Sequence, residues 1–513
     1  MSGRSPQEDT TVGYWRRVGL IGGPVAALAI VLLVEFDPAH PAMARTAAVA
    51  ALMAVWWMTE ALPIPATALV PMALFPLLGV SSGRAVAGQY FNDVVFLFIG
   101  GFIMALAMEK WGLFRRFALA IMLVAGASPS RLVLGFMAAT AFVSMWVSNT
   151  AAAMMMVPIA LAVITQLKDS TPPERTGRLS TSLLLGIAYG ATIGGIATLI
   201  GTPPNLAFSR LFAIAFPRAP EITFARWMLF GVPFAIVLLA LTWILLVLVF
   251  RTRSGAGAVD ASLLRQEYRQ LGRMRFEERV VLWLFLLLAF LWVFRQDITL
   301  GSWTIPGWAG LFGSPSFLDD GVVAIVLSLL LFIIPARNAP GERLMDWETA
   351  TRLNWGIVIL FGGGFALAAA MEESGLSAWV AQHLQSWQGI PPLLLVAAIC
   401  VSVTFLTELV SNTACVQIVL PILAPMAVAI GVNPLLLMVP ATVAASCGFM
   451  LPVGTPPNAI VFGTGEIKMR DMLRVGIVLD LLSVLLVTIF MYLIGLPAFG
   501  IGSVGAPPWA TGS

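Results

Sequence analysis

Two short polar motifs each occur twice inside long apolar stretches of this chain. Ser148-Asn149-Thr150 recurs as Ser411-Asn412-Thr413, and Gly201-Thr202-Pro203-Pro204-Asn205 recurs as Gly454-Thr455-Pro456-Pro457-Asn458. Polar and helix-breaking residues are expensive in apolar surroundings unless they line a cavity or are buried in protein. A chain that carries both motifs twice is therefore constrained to place two breaks in its apolar core, and to do so in two related halves.

The relation can be tested by offset. Phe98-Ile99-Gly100-Gly101-Phe102 corresponds to Phe361-Gly362-Gly363-Gly364-Phe365, Met108-Glu109 to Met371-Glu372, Ser144 to Thr407, and Ser148 to Ser411, each 263 residues on. The second pair of motifs lies 253 residues apart, so the second half is ten residues shorter between the two motifs. Self-similarity in one register marks an internal repeat.

Only 11% of the 513 residues are charged and 59% are hydrophobic, with a mean hydropathy of +0.93. Soluble domains carry about 25% charged residues. Apolar runs at 18–35, 44–61, 64–80, 93–125, 180–213, 227–250, 279–295, 320–336, 353–386, 434–463 and 474–497 read as eleven spans, each long enough for the roughly 17–25 residues that a bilayer requires. The first run follows Arg16-Arg17 and is long enough to be a span, not a cleaved signal segment. Cys400, Cys415 and Cys447 lie in apolar segments without metal-site spacing. His40 and His383 stand apart, and neither Ser148 nor Ser411 has a histidine nearby in sequence, so the chain offers no catalytic group and does not read as an enzyme. Nothing calls for nucleic acid.

Two regions, 131–167 and 391–430, do not read as single spans, because each has the Ser-Asn-Thr triplet near its middle. They are expected to be re-entrant hairpins with the triplet at the turn. The fold class is thus an all-α polytopic membrane protein with about eleven transmembrane helices plus two hairpins. Residues 1–250 form a first repeat (hairpin 131–167, broken helix 180–213), 251–278 a polar linker, and 279–513 a second repeat (hairpin 391–430, broken helix 434–463). An odd number of spans per half inverts one repeat relative to the other. Arg16, Arg17, Arg115, Arg116, Arg175, Arg178 and the basic stretch from Arg251 to Arg279 fall on one side of this topology. The positive-inside rule then puts the N-terminus and the linker in the cytoplasm and the C-terminus outside.

The motifs suit particular ligands. Pro203-Pro204 and Pro456-Pro457 cannot continue a preceding helix, and they free carbonyls upstream. Freed carbonyls and hydroxyls suit a small hard cation such as Na⁺, while half-helix N-termini and carboxamides suit a carboxylate. Segments 132–167, 181–209 and 434–465 contain no Asp, Glu, Lys or Arg, and 391–433 contains only Glu408. An anion bound there meets no fixed cation, so its charge must be offset by dipoles and by ions that travel with it. This favours cation-coupled anion transport over exchange, and it gives a channel no support. Two donor clusters suit a two-ended anion. Glu408 has Met145 as its first-half counterpart and is expected in a supporting role, facing the domain interior. The Gly362-Gly363-Gly364 run reads as a close helix crossing, since no phosphate-loop Lys follows it.

From about Trp57 to the last span, the chain resembles the divalent anion/sodium symporter family, the INDY-type di- and tricarboxylate transporters. The resemblance rests on both Ser-Asn-Thr triplets, both proline breaks, and the run Phe449-Met450-Leu451-Pro452-Val453-Gly454-Thr455-Pro456-Pro457-Asn458. It implies a homodimer in the cell inner membrane. Each protomer would have a scaffold domain, from the spans before each hairpin, and a transport domain, from the hairpins, broken helices and following spans, that moves as an elevator. It implies sodium sites at Ser144, Ser148, Asn149 and Gly201, and at Thr407, Ser411, Asn412 and Gly454. Substrate carboxylates would meet Ser148, Asn149, Thr150 and Thr202 on one side, and Ser411, Asn412, Thr413, Thr455 and Pro456 on the other. Gly454 departs from the family pattern, which has Ala. The implied activity is sodium-coupled import of C4 dicarboxylates such as succinate, malate or fumarate. The alternatives are dicarboxylate exchange, or sodium-coupled citrate or sulfate symport.

Overall fold

The computed structural model describes residues 6–34, 36–126, 128–170, 172–252, 262–300, 303–384, 386, 388–502 and 504–511. Residues 253–261 of the linker lie outside the described residues. The first half begins with α1 (Pro6–Leu33), α2 (Pro41–Thr59), α3 (Ile64–Thr67), α4 (Val70–Leu77) and α5 (Gly83–Tyr90). It continues through α6 (Asp93–Lys110), α7 (Leu113–Ala125), α8 (Pro129–Ser144), α9 (Asn149–Ser170), α10 (Pro173–Ile196), α11 (Pro203–Ala215) and α12 (Phe224–Val249). After α13 (Ser262–Gln270) the second half comprises α14 (Phe276–Val293), α15 (Asp320–Ile333), α16 (Trp347–Ala350), α17 (Trp355–Glu373), α18 (Leu376–Leu384), α19 (Pro392–Thr407), α20 (Asn412–Ala429), α21 (Pro434–Ser446), α22 (Pro456–Phe462) and α23 (Met469–Phe490). Among the described residues nine helices are long and apolar enough to cross a membrane.

Local chemistry sets many of these boundaries. Proline opens α2, α8, α10, α11, α19, α21 and α22, where its missing N–H costs nothing. Asn92, Thr223, Asp319 and Asp346 cap the starts of α6, α12, α15 and α16 with side-chain oxygens.

Three apolar runs that read as unbroken spans are divided. The run 93–125 turns at Gly112, with φ +76°, and 353–386 turns at Gly375, with φ +80°. The run 64–80 becomes α3 and α4, which meet at Ala68-Leu69. Average hydropathy is blind to a left-handed glycine between two apolar helices, and that is why these turns escape a sequence reading. The region 298–305 adds a small antiparallel pair, β1 (Ile298–Leu300) and β2 (Trp303–Ile305), which the apolar pattern did not foretell.

The repeat is visible in the backbone. Gly112 and Gly375 are 263 residues apart, and so are Gly126 (φ +96°) and Gly389 (φ +94°). Helices α8 and α19 begin and end at the same offset, and α11 and α22 begin 253 residues apart. Within each half the hairpin's first helix packs on the first part of the broken helix, α8 on α10 and α19 on α21. The α8–α10 crossing is made through Gly186, Gly190 and Gly194. A Cβ at Gly190 would lie 2.8 Å from the Met137 carbonyl oxygen, and one at Gly194 would overlap that of Ala141. Backbone-to-backbone approach of this kind is how apolar helices associate where no hydrophobic force acts between them.

The halves then exchange partners. α11 packs against α20, and α22 packs against α9, so each broken helix delivers its second part to the other half's hairpin. A separate smaller core joins Met53, Trp57, Phe75 and Tyr90 of α2–α5 to Leu360 and Met371 of α17. The Gly362-Gly363-Gly364 run is a close crossing there: added Cβ atoms would collide with Tyr90, with the Ala68 carbonyl and with Gln417. The described part of the linker contains a helix, α13, paired to α7 by Arg115 and Glu267, and Arg116 of α7 holds the turn that follows it. Arg116 bonds the Leu271 and Gly272 carbonyls and forms a buried 2.7 Å pair with Glu278.

Candidate functional site

The first hairpin turns between Ser144, the last residue of α8, and Asn149, the first of α9. The Ser144 hydroxyl donates to Asn149 Oδ1 at 2.8 Å and fixes the carboxamide. Across from it, α10 ends at Ile196 and α11 does not begin until Pro203. Thr202 is extended at φ −142°, ψ 140°, where two following prolines require it. Within the break, Thr198 donates its hydroxyl to the Met145 carbonyl at 2.6 Å and accepts from the Gly201 N–H at 3.0 Å. The break is thereby tied to the hairpin turn. Asn205 Nδ2 lies within 3.3 Å of the Gly195, Ile196 and Thr198 carbonyls, the groups released where α10 stops.

Glycine is required at the meeting point. A Cβ on Gly195 would overlap Asn149 Oδ1 and sit 3.2 Å from the Gly201 carbonyl oxygen, and one on Gly201 would sit 2.6 Å from the Gly195 oxygen. Ser144, Asn149, Gly195 and Gly201 therefore converge, bringing the Asn149 carboxamide oxygen close to the Gly195 and Gly201 backbones. The chemistry of such a donor set fits a small hard cation.

The second half repeats the arrangement with different atoms. The hydroxyl of Thr407, which closes α19, is shared between Asn412 Oδ1 at 2.8 Å and the Ala445 carbonyl at 2.7 Å. The helix α21 stops at Ser446 and α22 starts at Pro456. Thr455 is extended at φ −140°, ψ 148°, and its hydroxyl accepts from the Asn458 N–H at 3.4 Å. Asn458 Nδ2 reaches the Gly448 and Leu451 carbonyls at 3.3 and 3.0 Å.

Of the residues expected from sequence, Ser144, Thr202, Thr407, Thr413 and Thr455 are buried. Ser148, Asn149, Thr150, Ser411 and Asn412 are half-buried, Gly201 and Gly454 are buried, and Pro456 is exposed. The Ser148 hydroxyl accepts from the Ala151 N–H at 3.3 Å and so caps the hairpin's second helix. Each break lies at the start of a helix that packs on the other half's hairpin, α11 on α20 and α22 on α9.

Four contributors were not among the residues singled out from sequence: Gly195, Thr198, Asn205 and Asn458. Both asparagines stand in the repeated motif, which was signal enough. Gly195 and Thr198 lie upstream of it, and only the folded break reveals them. Glu408 accepts the Met450 N–H on Oε1 at 2.8 Å and the Leu451 N–H on Oε2 at 2.9 Å, which is the supporting role expected of it.

Residues 17–499 match the family model described as "Sodium:sulfate symporter transmembrane region". The sodium-dependent dicarboxylate transporter SdcS of Staphylococcus saprophyticus is 45% identical over 501 residues, covering 96% of this chain and 94% of that protein. SdcS of Staphylococcus aureus strain MRSA252 is 44% identical over 483 residues, covering 93% and 91%. Among solved structures, Neisseria gonorrhoeae MtrF superposes with a TM-score of 0.54 at 15% identity, covering 85% of this chain and 87% of that one. That likeness speaks to the fold alone. Matched over nearly its whole length by the family model and by relatives of the same size, this multi-pass membrane protein belongs to the sodium:sulfate symporter family, the divalent anion/sodium symporters.

Proposed function

We propose that the protein is a sodium-coupled symporter of C4 dicarboxylates such as succinate, malate and fumarate. One observation carries the reading: two repeat-related breaks, each tied to a hairpin-tip asparagine, Asn149 against Gly195 directly and Asn412 through the Thr407 hydroxyl, in segments that offer an anion no fixed lysine or arginine. The names of the relatives, sodium-dependent dicarboxylate transporters at 44–45% identity, agree with it. One sodium ion is held by Ser144, Ser148, Asn149 and Gly201, and a second by Thr407, Ser411, Asn412 and Gly454. The substrate's carboxylates bind between them, to Ser148, Asn149, Thr150 and Thr202 on one side and to Ser411, Asn412, Thr413, Thr455 and Pro456 on the other. Sodium neutralises the carboxylates where the protein has no cation to do so.

The protein works as a homodimer in the inner membrane, with its N-terminus in the cytoplasm and its C-terminus outside. α8–α12 and α19–α23 form the moving transport domain, and α1–α7 with α14–α18 form the scaffold. The separate core around α2–α5 and α17 supports that division. The test is labelled succinate uptake into proteoliposomes with and without an inward sodium gradient at fixed membrane potential. Symport requires uptake that depends on the gradient. Uptake indifferent to sodium but dependent on internal dicarboxylate means exchange, and inhibition by citrate or sulfate ranks the substrates.

A further inference from the structure

The ends of three helices meet around an open cleft of about 770 Å³: α10 begins at it, α12 ends at it and α23 begins at it. The cleft is separate from the ion and substrate positions proposed above. Gly177 of α10, which lines it, stands roughly 27 Å along the helix axis from Gly195 at the break.

The lining is basic. Arg178 of α10, Arg251 just after α12, and Lys468 and Arg474 at the start of α23 share it with Glu174, Glu466 and Asp471. Two of the acids already have partners: Glu174 bonds Arg178 at 2.5 Å, and Glu466 bonds Lys168 at 2.6 Å. That leaves Asp471 to face Arg251, Lys468 and Arg474, and the three cations form no ion pair among the described residues. All three are exposed.

Apolar surface adjoins this charge. Leu248 lines the cleft and is exposed, and so is Ile244, one turn earlier on the same face of α12. On α23 an exposed stripe of Ile477, Leu481 and Leu485 continues the helix face that Arg474 begins. The two helices pack on one another. Unpaired cations at the head of exposed apolar faces match the two-part chemistry of a phospholipid, a phosphate for the cations and acyl chains for the helices. A soluble anion would meet only the first part.

We propose that this cleft binds the headgroup of an anionic phospholipid, with its phosphate held by Arg251, Lys468 and Arg474 and its chains laid along α12 and α23. The topology that puts the linker in the cytoplasm makes it a lipid of the inner leaflet. The lipid joins the ends of α12 and α23, so it also stabilises the fold.

The test is native mass spectrometry of the purified full-length protein in detergent, titrated with phosphatidylglycerol or with phosphatidylcholine of the same chain length. Wild type is expected to prefer phosphatidylglycerol about tenfold or more and to unfold at a higher temperature in its presence. Arg251→Gln, Lys468→Gln or Arg474→Gln should each weaken its retention about fivefold, and the triple variant should retain the two lipids equally. A control with Arg16→Gln, Arg17→Gln and Arg352→Gln, at exposed positions outside the cleft, carries the same change in net charge and should keep the preference. Equal retention of both lipids by wild type overturns the proposal, and so does a control that loses the preference as fully as the cleft variant. Glycerol phosphate at millimolar concentration should leave the lipid in place. Displacement by it would make the cleft a soluble-anion site and overturn the lipid assignment. If the triple variant does not purify, the single variants decide by the same comparison. No arm depends on transport, so failure here is distinct from failure of the symport reading.

Discussion

At the scale of single residues, the proposed site has two carboxamides, each accepting a hydrogen bond from a neighbouring hydroxyl. Replacing Asn149 or Asn412 with Ala should each abolish succinate uptake while leaving a folded protein, as judged by size-exclusion profile and thermal unfolding. Wild-type uptake by either variant removes the site assignment. The hydroxyls should not be equal. Thr407 serves both Asn412 and the Ala445 carbonyl, whereas Ser144 serves Asn149. Thr407→Val should therefore raise the half-saturating sodium concentration more than Ser144→Ala does, by about tenfold against a few-fold, since each lost hydrogen bond is worth about 1 kcal/mol and a buried partner left unsatisfied costs more. Gly195→Ala tests the walls of the first site. Its methyl would overlap Asn149 Oδ1, so uptake should be lost with only a modest change in melting temperature. The asparagines were legible because an apolar core retains a repeated polar residue only where a partner or a ligand uses it. Gly195 and Thr198 were not, because one more glycine or threonine in a membrane helix is ordinary until the chain folds back on it.

At the scale of elements, the close glycine crossing of α8 and α10 holds the first hairpin against its break. A methyl at Gly194 would collide with the Ala141 backbone, which cannot move aside as a flexible side chain could. Gly194→Ala should cost about 1–3 kcal/mol of stability or more, seen as a lower unfolding temperature in detergent. A turn at each triplet was expected from its place in the middle of 131–167 and 391–430, and the helix starts at Asn149 and Asn412 stand at those triplets. The divisions at Gly112 and Gly375 were not expected, although they obey the repeat offset. Uniformly apolar sequence has no amphipathic signature to mark where one helix ends, and the left-handed backbone of a glycine carries no hydropathic signal.

At the scale of the whole molecule, an ionic cluster built on the buried Arg295–Asp320 pair ties together the ends of three helices far apart in sequence. Arg295, after α14, bonds Asp320 of α15 at 2.6 Å and Glu221, before α12, at 2.5 Å. Asp320 also accepts the Phe224 N–H, which opens α12. Arg295→Met should destabilise the fold by about 3–5 kcal/mol because it strands a buried carboxylate. The double variant Arg295→Met with Asp320→Leu should recover much of that loss, and thermal unfolding of the three proteins gives the coupling.

The sequence by itself determined the class of protein and its twofold plan. Apolar length demands helices in a bilayer, and proline pairs and polar triplets at fixed offsets cannot be absorbed as ordinary span residues. Only the tertiary structure decided how the halves combine. The exchange of α11 and α22 between hairpins, the glycines that let carbonyls and carboxamides converge, and the use of Glu408 where the first half uses Met145 all depend on contacts between residues tens to hundreds of positions apart. Local sequence sets backbone preference and side-chain chemistry, but which oxygen faces which break is set by packing across the whole molecule.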